Sequence, residues 1–214
     1  MSEAIKQMPH GAALRPDLAV IASFIKPGSR VLDIGCGDGA LLKWLRDERQ
    51  VDGRGVEIDQ ALVQRALANG ISVVQGEVVS DLPYYPDQSY DYVILSQTLQ
   101  ATTDPVAVLN HIVRIGKQAI LSVPNFGHWK NRLYLALRGR MPVTKTLSYQ
   151  WYDTPNIHFC TIADFVILAE QLGIAIEGRV MVDESGHKSV FTGHGLFANM
   201  FGEQGVFLLR KMAI

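Results

Sequence analysis

The sequence predicts an α/β fold in which a mostly parallel sheet carries helices on both faces. Segments with strand and helix patterns alternate through the first 123 residues. A glycine-rich loop, residues 35–39, directly follows the first strand pattern. Asp104 followed by Pro105 is a strong signal for the start of a later helix. Because we find no linker, we expect one domain over 1–214.

The first elements are short and clearly separated. Pro16 near the first turn of 15–25 predicts a helix that the sequence KPG ends. The apolar run at 30–34 is a buried strand, and leucines at helical spacing predict a helix over 40–48. A strand over 53–58 and a helix over 60–69 follow, with Asp59 as N-cap and Gly70 at the end.

Later elements complete the pattern. Apolar runs predict strands over 71–76, 90–96 and 117–123, the last stopped by Pro124. Thr161, with Asp164 three residues later, is an acidic capping box and predicts a helix over 161–173. Two late strands are predicted at 174–182 and 205–212, with a loop at 184–203 between them.

Composition limits the classes of partner. A formal net charge of −1 argues against nucleic acid, because phosphate binding needs a basic excess. Two cysteines are too few for a disulfide framework, and no His, Cys, Asp or Glu spacing suggests a metal site. The longest N-terminal apolar run is too short to span a bilayer. We therefore expect a soluble, cytoplasmic protein with no membrane partner.

The glycine loop has the pattern G-x-G-x-G, whereas the dinucleotide fingerprint is G-x-G-x-x-G. Asp33 stands two residues before Gly35, and Asp38 lies inside the loop. Carboxylates there would repel a pyrophosphate and attract a cation. S-adenosylmethionine carries an ammonium and a sulfonium and no phosphate, so we expect it, or S-adenosylhomocysteine, as the ligand.

A nucleoside also needs partners for its ribose and its base. Glu57 lies 22 positions after Gly35 at the end of the second strand, where an acidic residue commonly binds ribose hydroxyls. The alternative is an exposed acid at a strand end. Beyond the third strand, Glu77 could accept from the adenine amino group and the Val78 backbone could complete the contact. Gln97 should face the same edge of the sheet.

These motifs, in order, resemble class I S-adenosylmethionine-dependent methyltransferases. That resemblance implies a seven-stranded sheet with one antiparallel strand, supplied by GVFLLRKM. The stretches RVLDIGCGDGALLKWL, LSQTLQATTDP and VPNFGHWKNRLYLALRGRMPVTKTLSYQWYDTPNIHFCT resemble the MetW group of methionine-biosynthesis proteins. That group is associated with homoserine O-acyltransferase, the implied partner. The predicted ligand contacts are Asp33, Gly35, Cys36, Gly37, Gly39, Glu57, Ile58, Glu77, Val78 and Gln97.

Methyl transfer to a hydroxyl or carbon usually needs a general base. His128 and His158 are the candidates, each with the alternative of a structural role, whereas His111, His187 and His194 are weaker. We interpret Cys36 as a small packing residue. No G-x-S-x-G elbow appears, so hydrolase chemistry is not expected.

The segment 125–157 is a candidate lid or partner insert. Its aromatic residues could cover a ligand or simply pack. Its basic residues could form a solvated helix face, a docking surface or a seat for an anionic substrate. The aromatic residues are Trp129, Tyr134, Tyr149, Trp151 and Tyr152, and the basic ones are Lys130, Arg132, Arg138, Arg140 and Lys145.

Two functions fit these features. One is a ligand-binding module that regulates the acyltransferase, and the other is an active methyltransferase on a small metabolite. A nicotinamide-dependent oxidoreductase is disfavoured by Asp33 and the early third glycine. The methyl acceptor, if there is one, is not determined by the sequence.

Overall fold

The computed structural model describes residues 14–144, 147 and 149–212, so Lys145 lies outside the described residues. The helices, in chain order, are α1 (Pro16–Phe24), α2 (Ala40–Arg49), α3 (Gln60–Ala68), α4 (Val78–Asp81), α5 (Pro105–Ile115), α6 (Trp129–Arg138), α7 (Ile162–Gln171) and α8 (Leu196–Phe201). The strands are β1 (Arg30–Ile34), β2 (Asp52–Glu57), β3 (Ser72–Gln75), β4 (Tyr90–Ser96), β5 (Gly116–Pro124), β6 (Ile174–Val182), β7 (Lys188–Val190) and β8 (Gln204–Lys211).

The described strands form one sheet in the order β3-β2-β1-β4-β5-β8-β6-β7. The first five strands pair in parallel, and β8 inserts antiparallel between β5 and β6, as predicted for GVFLLRKM. After β1 the chain builds outward to β3 and then returns to place β4 on the other side of β1. This reversal is a topological switch point, where open α/β sheets bind ligands.

The sheet has eight strands among the described residues, so the prediction of seven strands was one too few. The additional strand, β7, pairs antiparallel with β6 over only three residue pairs. It lies in the segment 184–203 that was predicted as a loop, which also contains α8. A three-residue edge strand and a six-residue helix are too short to produce a clear hydrophobic period.

The predicted helix starts are confirmed. The Asp59 carboxylate accepts hydrogen bonds from the Ala61 and Leu62 N–H groups at the start of α3. At the start of α5, the Asp104 carboxylate accepts from the Ala107 N–H, and Pro105 is the first helical residue. Thr161 and Asp164 form both bonds of a capping box at α7. Each side chain satisfies backbone donors that have no partner within the helix.

Two apolar clusters cover the opposite faces of the sheet, which confirms helices on both sides. Leu32 and Ile34 of β1 join the cluster that includes residues of α5 and α7. Val31, which neighbours Leu32 in β1, points into the cluster with α1, α2 and α3. Because side chains alternate across a strand, β1 is buried on both faces. None of the described helices is long and apolar enough to cross a membrane.

Candidate functional site

A crevice of about 1110 Å³ lies where β1, β2 and β4 end. It brings together six of the predicted ligand contacts, and these are Asp33, Gly35, Cys36, Gly37, Glu57 and Gln97. They come together because the carboxyl ends of parallel strands meet at one edge of the sheet.

Asp33 is the most constrained residue of the crevice. Its side chain is 3% exposed, and its Oδ1 atom has no hydrogen-bond partner among the described residues. Burial, followed by the negative charge of Glu57, raises the pKa of Asp33 to about 7, although Arg15 acts in the opposite direction. A cationic ligand group at Oδ1 would compensate this cost, because an opposite charge favours the ionised form.

The first and second glycines of the loop differ in the space around them. A Cβ atom on Gly35 would lie 2.5 Å from Thr98 Oγ1, and Gly35 also has a positive φ of 73°. Gly37 also has a positive φ, 59°, but a Cβ there would meet nothing within 4 Å. The main chain at Gly37 is therefore open toward the crevice, where a ligand can approach it closely.

Cys36 is a packing residue. A Cβ on Gly55 would collide with Cys36 Sγ, so the thiol fills the space that a side chain on β2 would otherwise take. Burial, with the nearby Asp33 charge, raises the pKa of Cys36 to about 12. The thiol is consequently protonated at neutral pH and unreactive as a nucleophile.

Glu57 is a buried anchor of the loop and not an exposed acid. It is 7% exposed. Its Oε2 accepts from the Gly37 N–H at 2.9 Å, and its Oε1 accepts from the Ile58 and Asp59 N–H groups at 2.8 and 2.9 Å. A single carboxylate thereby holds the glycine loop against the end of β2.

A buried carboxylate of α1, Asp17, supports the crevice wall formed by Arg15, Ser96 and Gln97, and it was missed by the sequence reasoning. Asp17 is 1% exposed, and its Oδ2 accepts from Arg15, Ser96 and Gln97 at 3.2–3.3 Å. Gln97 itself has a φ of 51°, which is unusual for a residue other than glycine. An aspartate inside an apolar helix was the available signal, because carboxylates are rarely buried unless they are paired.

Four predicted contacts do not line the crevice. Gly39 is the N-cap of α2, and a Cβ there would lie 3.1 Å from Ile71. Ile58 is 66% exposed, and Glu77 is an exposed residue at the start of α4, followed by the half-buried Val78. The Gly76 N–H donates to the Glu57 carbonyl, so Glu77 lies close to the end of β2. Ile58 and Glu77 therefore lie on the surface outside the crevice, whereas Gly39 is buried.

The two candidate bases are far from equivalent. His158 is exposed, and its backbone N–H donates to the Gln100 carbonyl. His128 is 6% exposed and lines a second cavity of about 360 Å³. Burial lowers the pKa of His128, despite the nearby charges of Glu184 and Glu203. His128 is therefore neutral at pH 7 and able to accept a proton.

The insert 125–157 contributes to the crevice wall through Tyr149, Pro155 and Asn156. Three of its basic residues have partners within the chain. Lys130 pairs with Glu184, Arg132 donates to the Gly127 carbonyl, and Arg138 lies 5.4 Å from the Tyr134 ring centre.

The charge of the crevice suits a cationic nucleoside. Among its described lining residues one is cationic, Arg15, and it pairs with Asp17. Four carry carboxylates, and these are Asp33, Asp38, Glu57 and Glu203. A pyrophosphate would meet repulsion here, whereas an ammonium or sulfonium would be attracted. In the described part of the chain, no group of three or more potential metal-binding side chains occurs.

A solved structure identifies the fold. A solved S-adenosylmethionine-dependent methyltransferase from Thermotoga maritima superimposes with a TM-score of 0.65 and 19% identity, covering 92% of this chain and 88% of that one. The fold is therefore that of the class I S-adenosylmethionine-dependent methyltransferases. Within that class, the family model described as "Methionine biosynthesis protein MetW" matches residues 15–209. The chain belongs to the MetW family.

Two curated relatives are similar in sequence. The "Bifunctional methionine biosynthesis protein MetXA/MetW" of Rhodopirellula baltica is 37% identical over 185 residues, which is 82% of this chain and 30% of that protein. The "Ubiquinone/menaquinone biosynthesis C-methyltransferase UbiE" of Xanthomonas oryzae is 33% identical over 108 residues, 46% of this chain and 42% of that protein. The chain thus spans less than half the length of either relative.

Proposed function

We propose that this protein binds S-adenosylmethionine, or S-adenosylhomocysteine, and acts with a homoserine O-acyltransferase in methionine biosynthesis. The observation that best supports this choice of ligand concerns Asp33, a residue of the acidic crevice whose buried Oδ1 atom has no hydrogen-bond partner among the described residues. When bound, S-adenosylmethionine supplies an electrophilic methyl group, whereas S-adenosylhomocysteine does not.

The proposal gives each residue a role toward the ligand. Asp33 accepts from the ammonium group, and Glu57, while anchoring the loop, accepts from the ribose hydroxyls. The main chain at Gly35, Cys36 and Gly37 forms the cradle, and Gly39 provides the tight turn from the cradle into α2. Gln97 closes the wall at β4. Ile58, Glu77 and Val78 take the adenine, beside the crevice on the surface near the ends of β2 and β3.

Calorimetry with three ligands tests this assignment. S-adenosylmethionine and S-adenosylhomocysteine should both bind, because both carry the ammonium and the adenosine. NADH should not bind, because its pyrophosphate would face the carboxylates. Saturable NADH binding, without binding of either adenosyl ligand, would contradict the proposal.

The acyltransferase partner is supported by the fused relative, whose name joins MetXA and MetW in one chain. The insert offers a surface for such a partner. Trp129, Leu133 and Leu137 of α6 are 40%, 48% and 75% exposed at four-residue spacing, which places them on one side of the helix. Trp151 and Tyr152 are 72% and 70% exposed. Exposed aromatic and leucine side chains at this density are typical of protein interfaces.

A matched pair of leucines tests the surface. Leu137→Glu should weaken the complex with the homoserine O-acyltransferase, measured by analytical ultracentrifugation. Leu67→Glu is the control, since Leu67 is also exposed, at 55%, but lies on α3. Equal effects of the two variants would exclude the insert as the docking surface.

Regulation requires that the ligand favour one state of the complex over another. Acylation of homoserine should therefore be measured with this protein present, with and without S-adenosylmethionine. If this protein bound the acyltransferase with equal affinity in the presence and absence of S-adenosylmethionine, the sensor role would be excluded. That result would not affect the proposal that the protein binds S-adenosylmethionine.

The second candidate function is methyl transfer to a small metabolite. It is favoured by His128, a buried neutral base in a cavity that shares Glu203 with the crevice. In this case the insert, through Tyr149 and Asn156, covers the acceptor as a lid. Release of S-adenosylhomocysteine in the presence of homoserine-pathway compounds is the readout, and no turnover across a broad metabolite set would count against it.

A further inference from the structure

The second cavity, of about 360 Å³, has a composition unlike that of the crevice. It lies between the end of β5, the start of α6 and the loop that follows β6. All its described lining residues are polar, and these are Asn125, His128, Lys130, Asn131, Thr144, Glu184 and Glu203. Its volume lies near the lower limit for ligand pockets, and its walls suit a small polar molecule.

The base of the cavity is rigid. Asn125 is 2% exposed, and its side-chain amide donates to the Asn199 and Gly202 carbonyls at 2.8 and 2.7 Å. The backbone of Glu203 is also fixed, because its carbonyl accepts from the Asn125 N–H and its N–H donates to the Val182 carbonyl. The Asn125 side chain and the Glu203 backbone are thus fixed in place before any ligand arrives, which lowers the cost of binding.

One buried atom in the wall lacks a partner. Asn131 is 5% exposed, and its side-chain N–H group donates to the Phe126 carbonyl at 3.2 Å. Its Oδ1 atom has no hydrogen-bond partner among the described residues. A buried acceptor of this kind is costly to leave unpaired, so it favours a ligand that brings an N–H donor.

The charges of the cavity are of both signs. Lys130 provides an ammonium, and Glu184 and Glu203 provide two carboxylates. Lys130 and Glu184 pair at the rim, where their side chains are 47% and 41% exposed. An exposed pair of this kind is weak and is readily rearranged around a ligand that carries both charges. An anion alone would meet two carboxylates, and a cation alone would leave Lys130 without a new partner.

We propose that this cavity binds a small α-amino acid with a polar side chain. The ligand ammonium faces Glu203 and the Asn131 Oδ1 atom, and the ligand carboxylate faces Lys130. His128 is placed to accept a hydrogen bond from a side-chain hydroxyl. Because Glu203 also lines the crevice, the amino acid would lie next to the proposed nucleoside site. The cavity has its own lining residues, so this binding does not require the nucleoside, and the two proposals can fail separately.

The test uses L-homoserine and two analogues that each lack one charge. Calorimetry without any nucleoside should show saturable binding of L-homoserine. 3-Aminopropan-1-ol, which lacks the carboxylate, and 4-hydroxybutanoate, which lacks the ammonium, should each bind about 10- to 150-fold more weakly, the range for losing one charge-assisted hydrogen bond. Absence of binding at millimolar L-homoserine and L-serine would overturn the proposal.

A variant locates the site. Lys130→Met should weaken the binding of L-homoserine but should not weaken the binding of 3-aminopropan-1-ol, because only L-homoserine has a carboxylate for Lys130. Lys43→Met is a matched control, since Lys43 is also 47% exposed and paired with a carboxylate, but lies on α2. If Lys130→Met weakened both compounds equally, or if Lys43→Met had the same effect, the assignment of the cavity would be wrong.

Discussion

Asp33 and Glu57 are both buried carboxylates at strand ends, but their surroundings are opposite. Glu57 accepts three backbone N–H groups, so the fold depends on its charge. Asp33 leaves one oxygen without a partner, and its pKa is raised to about 7. The Glu57 carboxylate therefore stabilises the loop. Burial of the Asp33 carboxylate is unfavourable, and a bound cationic group would offset that free energy.

Asp33→Asn should stabilise the ligand-free protein and should lower its affinity for S-adenosylmethionine. The folded-state pKa of about 7 exceeds the ordinary value of 3.8, so the folded protein loses stability as pH rises from about 4 to 7. The full cost above pH 7 is at most about 4 kcal/mol, at 1.36 kcal/mol per pKa unit. Unfolding at pH 8 and pH 5 checks the sign, because the gain should be larger at pH 8.

The same variant should bind S-adenosylmethionine about 10- to 150-fold more weakly, because it loses a charge-assisted hydrogen bond. A variant that was less stable at pH 8, or that kept full affinity, would show that Asp33 is not a strained ligand carboxylate.

Glu57→Ala should also lower the affinity for S-adenosylmethionine by about 10- to 150-fold. Unlike Asp33→Asn, it should destabilise the folded protein. The free energy of unfolding should fall by at least about 1.5–3 kcal/mol, the worth of one charge-assisted hydrogen bond, because three N–H groups lose their acceptor. Denaturant unfolding and calorimetry measure the two effects. Asp52→Ala is the control, since Asp52 is an exposed acid on the same strand. Unchanged affinity in Glu57→Ala would place the ribose elsewhere.

Among the elements, the glycine loop between β1 and α2 combines structural need with ligand access. Gly37 and Gly28 are a matched pair, with φ of 59° and 72° and no atom within 4 Å of the position that a Cβ would take. Alanine at either position should destabilise the fold by about 1–2 kcal/mol, the cost of the left-handed conformation. Only Gly37→Ala should also weaken S-adenosylmethionine, because Gly28 lies in the turn before β1. Equal ligand affinity in both variants would remove Gly37 from the cradle.

Elements with strong local signals were predictable, and elements without them were not. The caps at Asp59, Asp104 and Thr161 satisfy backbone groups within three residues, so the local sequence specifies them. β7 exists because Lys188–Val190 pairs with β6, and α8 is only six residues long. Neither element was predicted, because a segment of three or six residues is too short to show the hydrophobic period of a strand or a helix.

For the whole molecule, the acidic crevice should make stability depend on the sign of the ligand's charge. S-adenosylmethionine at 100 times its Kd should stabilise the folded state by about 2.7 kcal/mol. For a chain of this length the melting temperature should then rise by about 5–11 °C. Thermal scans with S-adenosylmethionine and with NADH compare the two, and an equal rise with NADH would refute the electrostatic selection.

Apart from the four-residue helix α4, which was not predicted, the order of strands and helices through the first 123 residues was determined by the sequence alone, as were the caps and the position of Asp33 and Glu57 at strand ends. Hydrophobic period, capping and turn signals are local, and parallel strands necessarily bring their carboxyl ends to one edge.

The tertiary structure alone decided which of these groups are buried, paired or left without a partner. Asp17 meets Ser96 and Gln97 across 79 and 80 residues of chain, and Lys130 meets Glu184 across 54. It also decided the eighth strand and the separation of the polar cavity from the crevice. The physical reason is that burial and local field arise from contacts between distant segments, which no local pattern of residues encodes.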